Sequence, residues 1–139
     1  MCIRDRFGDV IRGDVNWIRI GEQVNIQDNA TVHATYKKAP TIIGNYVSIG
    51  HNAIVHGCTI HDHVLIGMGA IVMDGAIVES NSVIAAGAVV LKGTHVESGS
   101  VYAGVPAKKV KDIDPSLLEG QIHRIANSYT MYSGWYKEE

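Results

Sequence analysis

The chain has 139 residues, 46 % of them hydrophobic but only 6 % aromatic, with 15 glycines, 3 prolines and a formal net charge of −2. That length suits one domain with a compact aliphatic core, and interspersed charges leave no electrostatic footprint for nucleic acid or an anionic membrane surface. No stretch has the length of a transmembrane helix, and two cysteines without a CxxC pair, Cys2 and Cys58, fit a reducing compartment such as the cytoplasm.

The opening "MCIRDR" has no apolar core of a signal peptide and matches nothing downstream. It resembles read-through of adapter sequence, so residues 1–6 are expected to be a non-native leader.

From residue 20 onward aliphatic side chains recur every six residues: Ile20, Ile26, Val32; then Ile43, Ile49, Val55; then, after one short step, Ile60, Ile66, Val72, Val78, Ile84, Val90 and Val96, with Tyr102 continuing the count. Neither a helical period nor simple alternation gives this spacing with a small residue after so many of the aliphatics. A six-residue unit with one inward aliphatic and a turn predicts a parallel β-helix, three units to a triangular coil and coils stacked at about the 4.8 Å strand spacing. The eleven-residue step from Val32 to Ile43 predicts a loop over 34–41, "ATYKKAPT".

The prism is expected to span 7–111, all-β, followed over 112–139 by an amphipathic helix and tail. Asp114 is placed to cap that helix and Pro115 to open it, with Leu118, Ile122, Ile125 or Ala126, and Tyr129 at helical spacing.

The coil register gives the histidines their places. His33 follows Val32 and His56 follows Val55, so both are expected on the third face, one strand spacing apart. His51 lies two places after Ile49, on the second face. A three-fold homotrimer brings second and third faces of neighbours together, giving three imidazoles and one open position, the arrangement of a catalytic zinc whose water is acidified. His61 and His63 read as an exposed turn, His95 and His123 as surface residues, Cys58 as a small buried filler, and Met68 and Met73 as core and interface packing.

The stretches "NIQDNATVH", "SIGHNAIVHG", "LIGMGAIV" and "AGVPAK" resemble the γ-class carbonic anhydrase family, over roughly residues 8–136. The resemblance implies a left-handed β-helix and a trimer that hydrates carbon dioxide reversibly to bicarbonate. It places the metal ligands on His33, His51 and His56, with His51 from the neighbouring subunit, and the metal as zinc, with Fe(II) or cobalt as alternatives. It also implies that Gln27 orients the hydroxide, that Arg12 and Asp28 link subunits, and that Asp14 and Asn25 are supporting polar positions. Tyr102 matches a tyrosine near the substrate end of the cleft. Tyr36 and Val15 stand where the best-characterised branch has carboxylates, the first of them its proton shuttle. That departure keeps three alternatives open: a metal-dependent acyl-coenzyme A thioesterase, a hexapeptide acyltransferase, and a non-catalytic trimeric scaffold or assembly protein.

Overall fold

A computed structural model describes residues 8–132, and its strands form a three-sided prism. Among these residues fifteen strands of two to four residues wind in succession around three parallel sheets, and a sixteenth turns back along the edge of one of them. The first face carries the inward row Ile20, Ile43, Ile60, Val78 and Val96. The second carries Ile26, Ile49, Ile66, Ile84 and Tyr102. The third carries Ile11, Val32, Val55, Val72 and Val90. The predicted coils therefore stack as the six-residue count requires, and a further strand, Val10–Ile11, precedes them.

The interior is closed by these rows and by small residues at the corners, Ala30, Ala53, Ala70 and Ala88 among them, all fully buried. Cys58 fills one such corner, and burial pushes its thiol up to about 12. A corner needs a left-handed residue in each coil, which Asn29, Asn52, Gly69 and Gly87 supply at the same place in successive turns. At Gly67 the demand is steric instead: a Cβ there would lie 2.5 Å from the Ala86 nitrogen.

The long step after Val32 is a hairpin, bridged from Thr35 to Ala39, and it ends sooner than expected because Thr41 already pairs within the first face. After Tyr102 the chain reverses, and Lys108–Asp112 runs antiparallel to Ser100–Ala103, across the boundary expected at residue 111. The six-residue count carries no sign of that reversal.

The helix begins where predicted. Asp114 Oδ1 accepts from the Leu117 backbone N–H at 2.8 Å, and Pro115 opens the first turn. Hydrogen bonds from Ser116 and the Leu117 N–H hold the Asp114 carboxyl below its ordinary 3.8. The cap therefore contributes fully above that ordinary value and is lost as pH falls through the lowered one. Asp114→Ala is expected to reduce far-ultraviolet helical signal at pH 7 and to flatten its change on acidification to pH 3.

Over Leu118–His123 the helix widens into a π turn around Gly120, then continues as Arg124–Tyr132. Ile122 is 1 % exposed and packs with Leu117 and Leu118 on the outward side of the second face, against Leu65, Val83 and Val101. Burying one such side chain contributes about 1.5–3 kcal/mol. His123 joins this contact. Its ring lies 4.9 Å from that of His63, which stacks on Tyr46 at 4.9 Å. His63 and His123 thus differ from the exposed places expected of them, whereas His61 and His95 are exposed and flank Glu79. Met68, expected in core or interface packing, is 59 % exposed on the single chain and so lies outside the core. No helix among the described residues is long and apolar enough to cross a membrane. The leader at 1–6 and the tail beyond 132 lie outside the described residues.

Candidate metal centre

Thr31–His33 and Ile54–His56 are adjacent parallel strands, and His33 is the register partner of His56. Because Val32 and Val55 point inward, the imidazoles stand side by side outside the prism, both half-buried. His33 Nδ1 and His56 Nε2 approach to 3.1 Å, with ring centroids 5.0 Å apart and edge to face. A tetrahedral zinc with Zn–N of about 2.0–2.1 Å holds neighbouring nitrogens about 3.3 Å apart, so the pair fits one edge of such a site.

On the far side of His33, Nε2 lies 3.0 Å from Asp14 Oδ1 and 3.1 Å from Arg12 Nη2. Its hydrogen bond with His33 holds the Asp14 carboxyl below the usual range. Arg12 Nε also reaches Asp14 Oδ2 at 3.3 Å, so within one chain Arg12 pairs with Asp14 and does not meet Asp28.

His51 stands apart from this pair, on the second face. Its Nδ1 is 4.0 Å from Asp28 Oδ2, and Asp28 Oδ1 is buried without a hydrogen-bond partner. Among the described residues no three His, Cys, Asp or Glu side chains of the single chain converge as a metal-binding group.

His51 lines a cleft of about 440 Å³ between the second face and the C-terminal helix, shared with Gln27, Met68, Arg124 and Tyr129. Gln27 is 7 % exposed, and its Nε2 donates to Asn25 Oδ1 at 3.2 Å. Asn25 in turn donates to Ser48 Oγ at 2.7 Å, so the row along the sheet fixes the amide. Tyr102 is not brought to this group. It is 8 % exposed, packs in the core, and sits four strands along the face from Ile26, about 19 Å at the strand spacing.

One neighbour escaped the sequence reading. Asp74 Oδ1 lies 2.6 Å from His56 Nδ1, and its other oxygen accepts from the Thr35 hydroxyl. The signal was in the register, since Asp74 follows Val72 by two places, one coil beyond His56 on the same face.

The family model for the bacterial transferase hexapeptide (six repeats) matches residues 57–92. The chain is 45 % identical over 132 residues to mitochondrial γ carbonic anhydrase 1 of Arabidopsis thaliana, covering 91 % of this chain but only 46 % of the plant protein. It is 44 % identical over 131 residues to a carbonic anhydrase of Geobacillus kaustophilus, covering 94 % of this chain and 71 % of that one. The solved structure of a hexapeptide transferase family protein from Anaplasma phagocytophilum superposes with a TM-score of 0.88 at 41 % identity, covering 94 % of this chain and 75 % of that one. Repeat, register and likeness over nearly the whole length agree, and the chain belongs to the γ-class carbonic anhydrase family of left-handed β-helix proteins.

Proposed function

We propose that the chain acts as a homotrimeric, metal-dependent carbonic anhydrase that interconverts carbon dioxide and bicarbonate. The observation that carries this reading is the 3.1 Å approach of His33 and His56, two nitrogens set to share one ion while the third family ligand, His51, faces another side of the prism. In a three-fold assembly the second face of one copy meets the third face of the next, so His51 of one copy completes the neighbour's pair. Asp28, with its unpartnered oxygen, and exposed Arg12 on the other face supply complementary charge across that junction.

Three imidazoles suit zinc, with Fe(II) or cobalt as alternatives. A metal in that set supplies the Lewis acidity that brings the pKa of water toward neutrality. Gln27, tied to Asn25, aligns the attacking oxygen beside His51. Tyr36 is exposed at the tip of the basic hairpin and offers no carboxylate to carry a proton away, so buffer takes that role.

Protein purified without oxygen or chelator is expected to hold about one metal per chain, and to hydrate carbon dioxide at a rate that rises with buffer concentration. A metal-free trimer, or hydration no faster than in buffer alone, overturns the reading. The lack of a carboxylate at Tyr36 favours one other activity: metal-dependent hydrolysis of an acyl thioester such as an acyl-coenzyme A. A panel of acyl-coenzyme A substrates without turnover removes that alternative.

A further inference from the structure

We propose that Asp74 is a positioning residue that holds His56 in its Nδ1–H tautomer and thereby presents Nε2 as the lone pair facing His33. The inference rests on the metal-dependent reading above for its consequence, and on three features of the chain for its argument.

The first is the contact itself. An ionised carboxylate only accepts, so at 2.6 Å the proton between Asp74 Oδ1 and His56 must sit on Nδ1. The neutral ring then has its lone pair on Nε2, the nitrogen that lies 3.1 Å from His33 Nδ1. Asp74 lies on the Nδ1 side of the ring, opposite the nitrogen that faces His33, so it supports the ligand and is not itself one.

The second is that the carboxylate has a built seat. Its Oδ2 accepts from Thr35 at the start of the hairpin, and Thr35 is fixed by its backbone N–H donating to Ala39 at 2.9 Å. Both carboxylate oxygens are thus engaged, Oδ2 by the hairpin and Oδ1 by the ring.

The third is the space. Residue 57 is glycine, with φ at +58°, and a Cβ there would stand 2.8 Å from Asp74 Oδ1. The residue directly after the ligand thus lacks a side chain where the carboxylate approaches. Hairpin, carboxylate and ligand form one chain of contacts, Thr35 to Asp74 to His56, that orients the ring before any ion arrives.

Long-range ¹H–¹⁵N spectra of the metal-free, histidine-labelled protein read the tautomer directly, and chelator competition with Zn²⁺ reads the consequence. Wild type is expected to show His56 as Nδ1–H. Asp74→Ala is expected to move it to Nε2–H and to weaken Zn²⁺ binding about 10- to 100-fold. Asp74→Asn, whose Oδ1 still accepts, should restore the tautomer and part of the affinity. Thr35→Val should weaken binding less than Asp74→Ala. Wild-type His56 found as Nε2–H overturns the proposal without recourse to any variant, as does an Asp74→Ala protein with unchanged tautomer and affinity. Should no form bind Zn²⁺, the metal reading fails, while the tautomers of wild type and Asp74→Ala still decide the role of Asp74.

Discussion

Replacing His56 with alanine is expected to abolish stoichiometric metal and to lower carbon dioxide hydration by about 10³-fold, the equivalent of several kcal/mol of lost transition-state stabilisation. The reasoning is geometric. His33 and His56 are register partners whose nitrogens meet at 3.1 Å, and no other imidazole of the same chain stands with them. Removing one leaves two ligands from different copies, too few to hold an ion firmly. The fold should be spared, because the side chain lies outside the prism and Val55 beside it supplies the buried contact. His95→Ala is the matched control: its ring is 61 % exposed against Glu79 and should change neither metal content nor rate. Metal per chain and initial hydration rates, measured on all three proteins, decide the point. A His56→Ala protein that keeps its metal would show that the ligands lie elsewhere.

Ile66→Ala is expected to cost about 2–5 kcal/mol of stability, the range for emptying a buried aliphatic site. Ile66 is 0 % exposed at the middle of the second-face row, with Ile49 below and Ile84 above, both also 0 % exposed. In a stacked repeat each coil is held by its neighbours, so a cavity there weakens two interfaces at once. Ile77→Ala removes the same number of atoms from the outward row of the first face, where the side chain is 37 % exposed, and should cost well under half as much. Urea midpoints for the two variants test the register. Equal losses would contradict the assignment of inward and outward rows.

The inward rows were legible because a side chain recurring every six residues admits one geometry, and from Ile20 to Tyr102 the count breaks only at the step after Val32 and the five-residue step after Val55. What escaped are features that occur once. The strand Val10–Ile11 has no earlier hexad with which to form a pattern, and Lys108–Asp112 pairs by reversal, which no spacing announces. The π turn at Leu118–His123 depends on how the helix settles on Leu65, Val83 and Val101, a tertiary effect. In the site, His33 and His56 were readable because each directly follows an inward valine. Asp74 needed the same column followed one coil further. Tyr102 shows two signals in conflict: the six-residue count puts it inward, the family resemblance puts it at the cleft, and its side chain lies in the core. His63 and Tyr46 occupy left-handed corners, where polar residues usually face water, and the helix converts that corner into a contact.

The reversal at Lys108–Asp112 bears on how copies of the molecule avoid one another. A parallel prism left to itself ends in open backbone donors and acceptors, a template on which another copy can polymerise. Here the edge of one of the three sheets, the second face, is turned back antiparallel, and all five residues of the closing strand are exposed, three of them lysines. Lys109 is tethered to Glu97 at 2.7 Å and Asp112 at 2.8 Å, so the charge is fixed in place on that edge. The molecule thus carries a polarity: at this end a copy approaching the second face meets a charged strand running the wrong way, so chain direction as well as charge opposes stacking on that sheet.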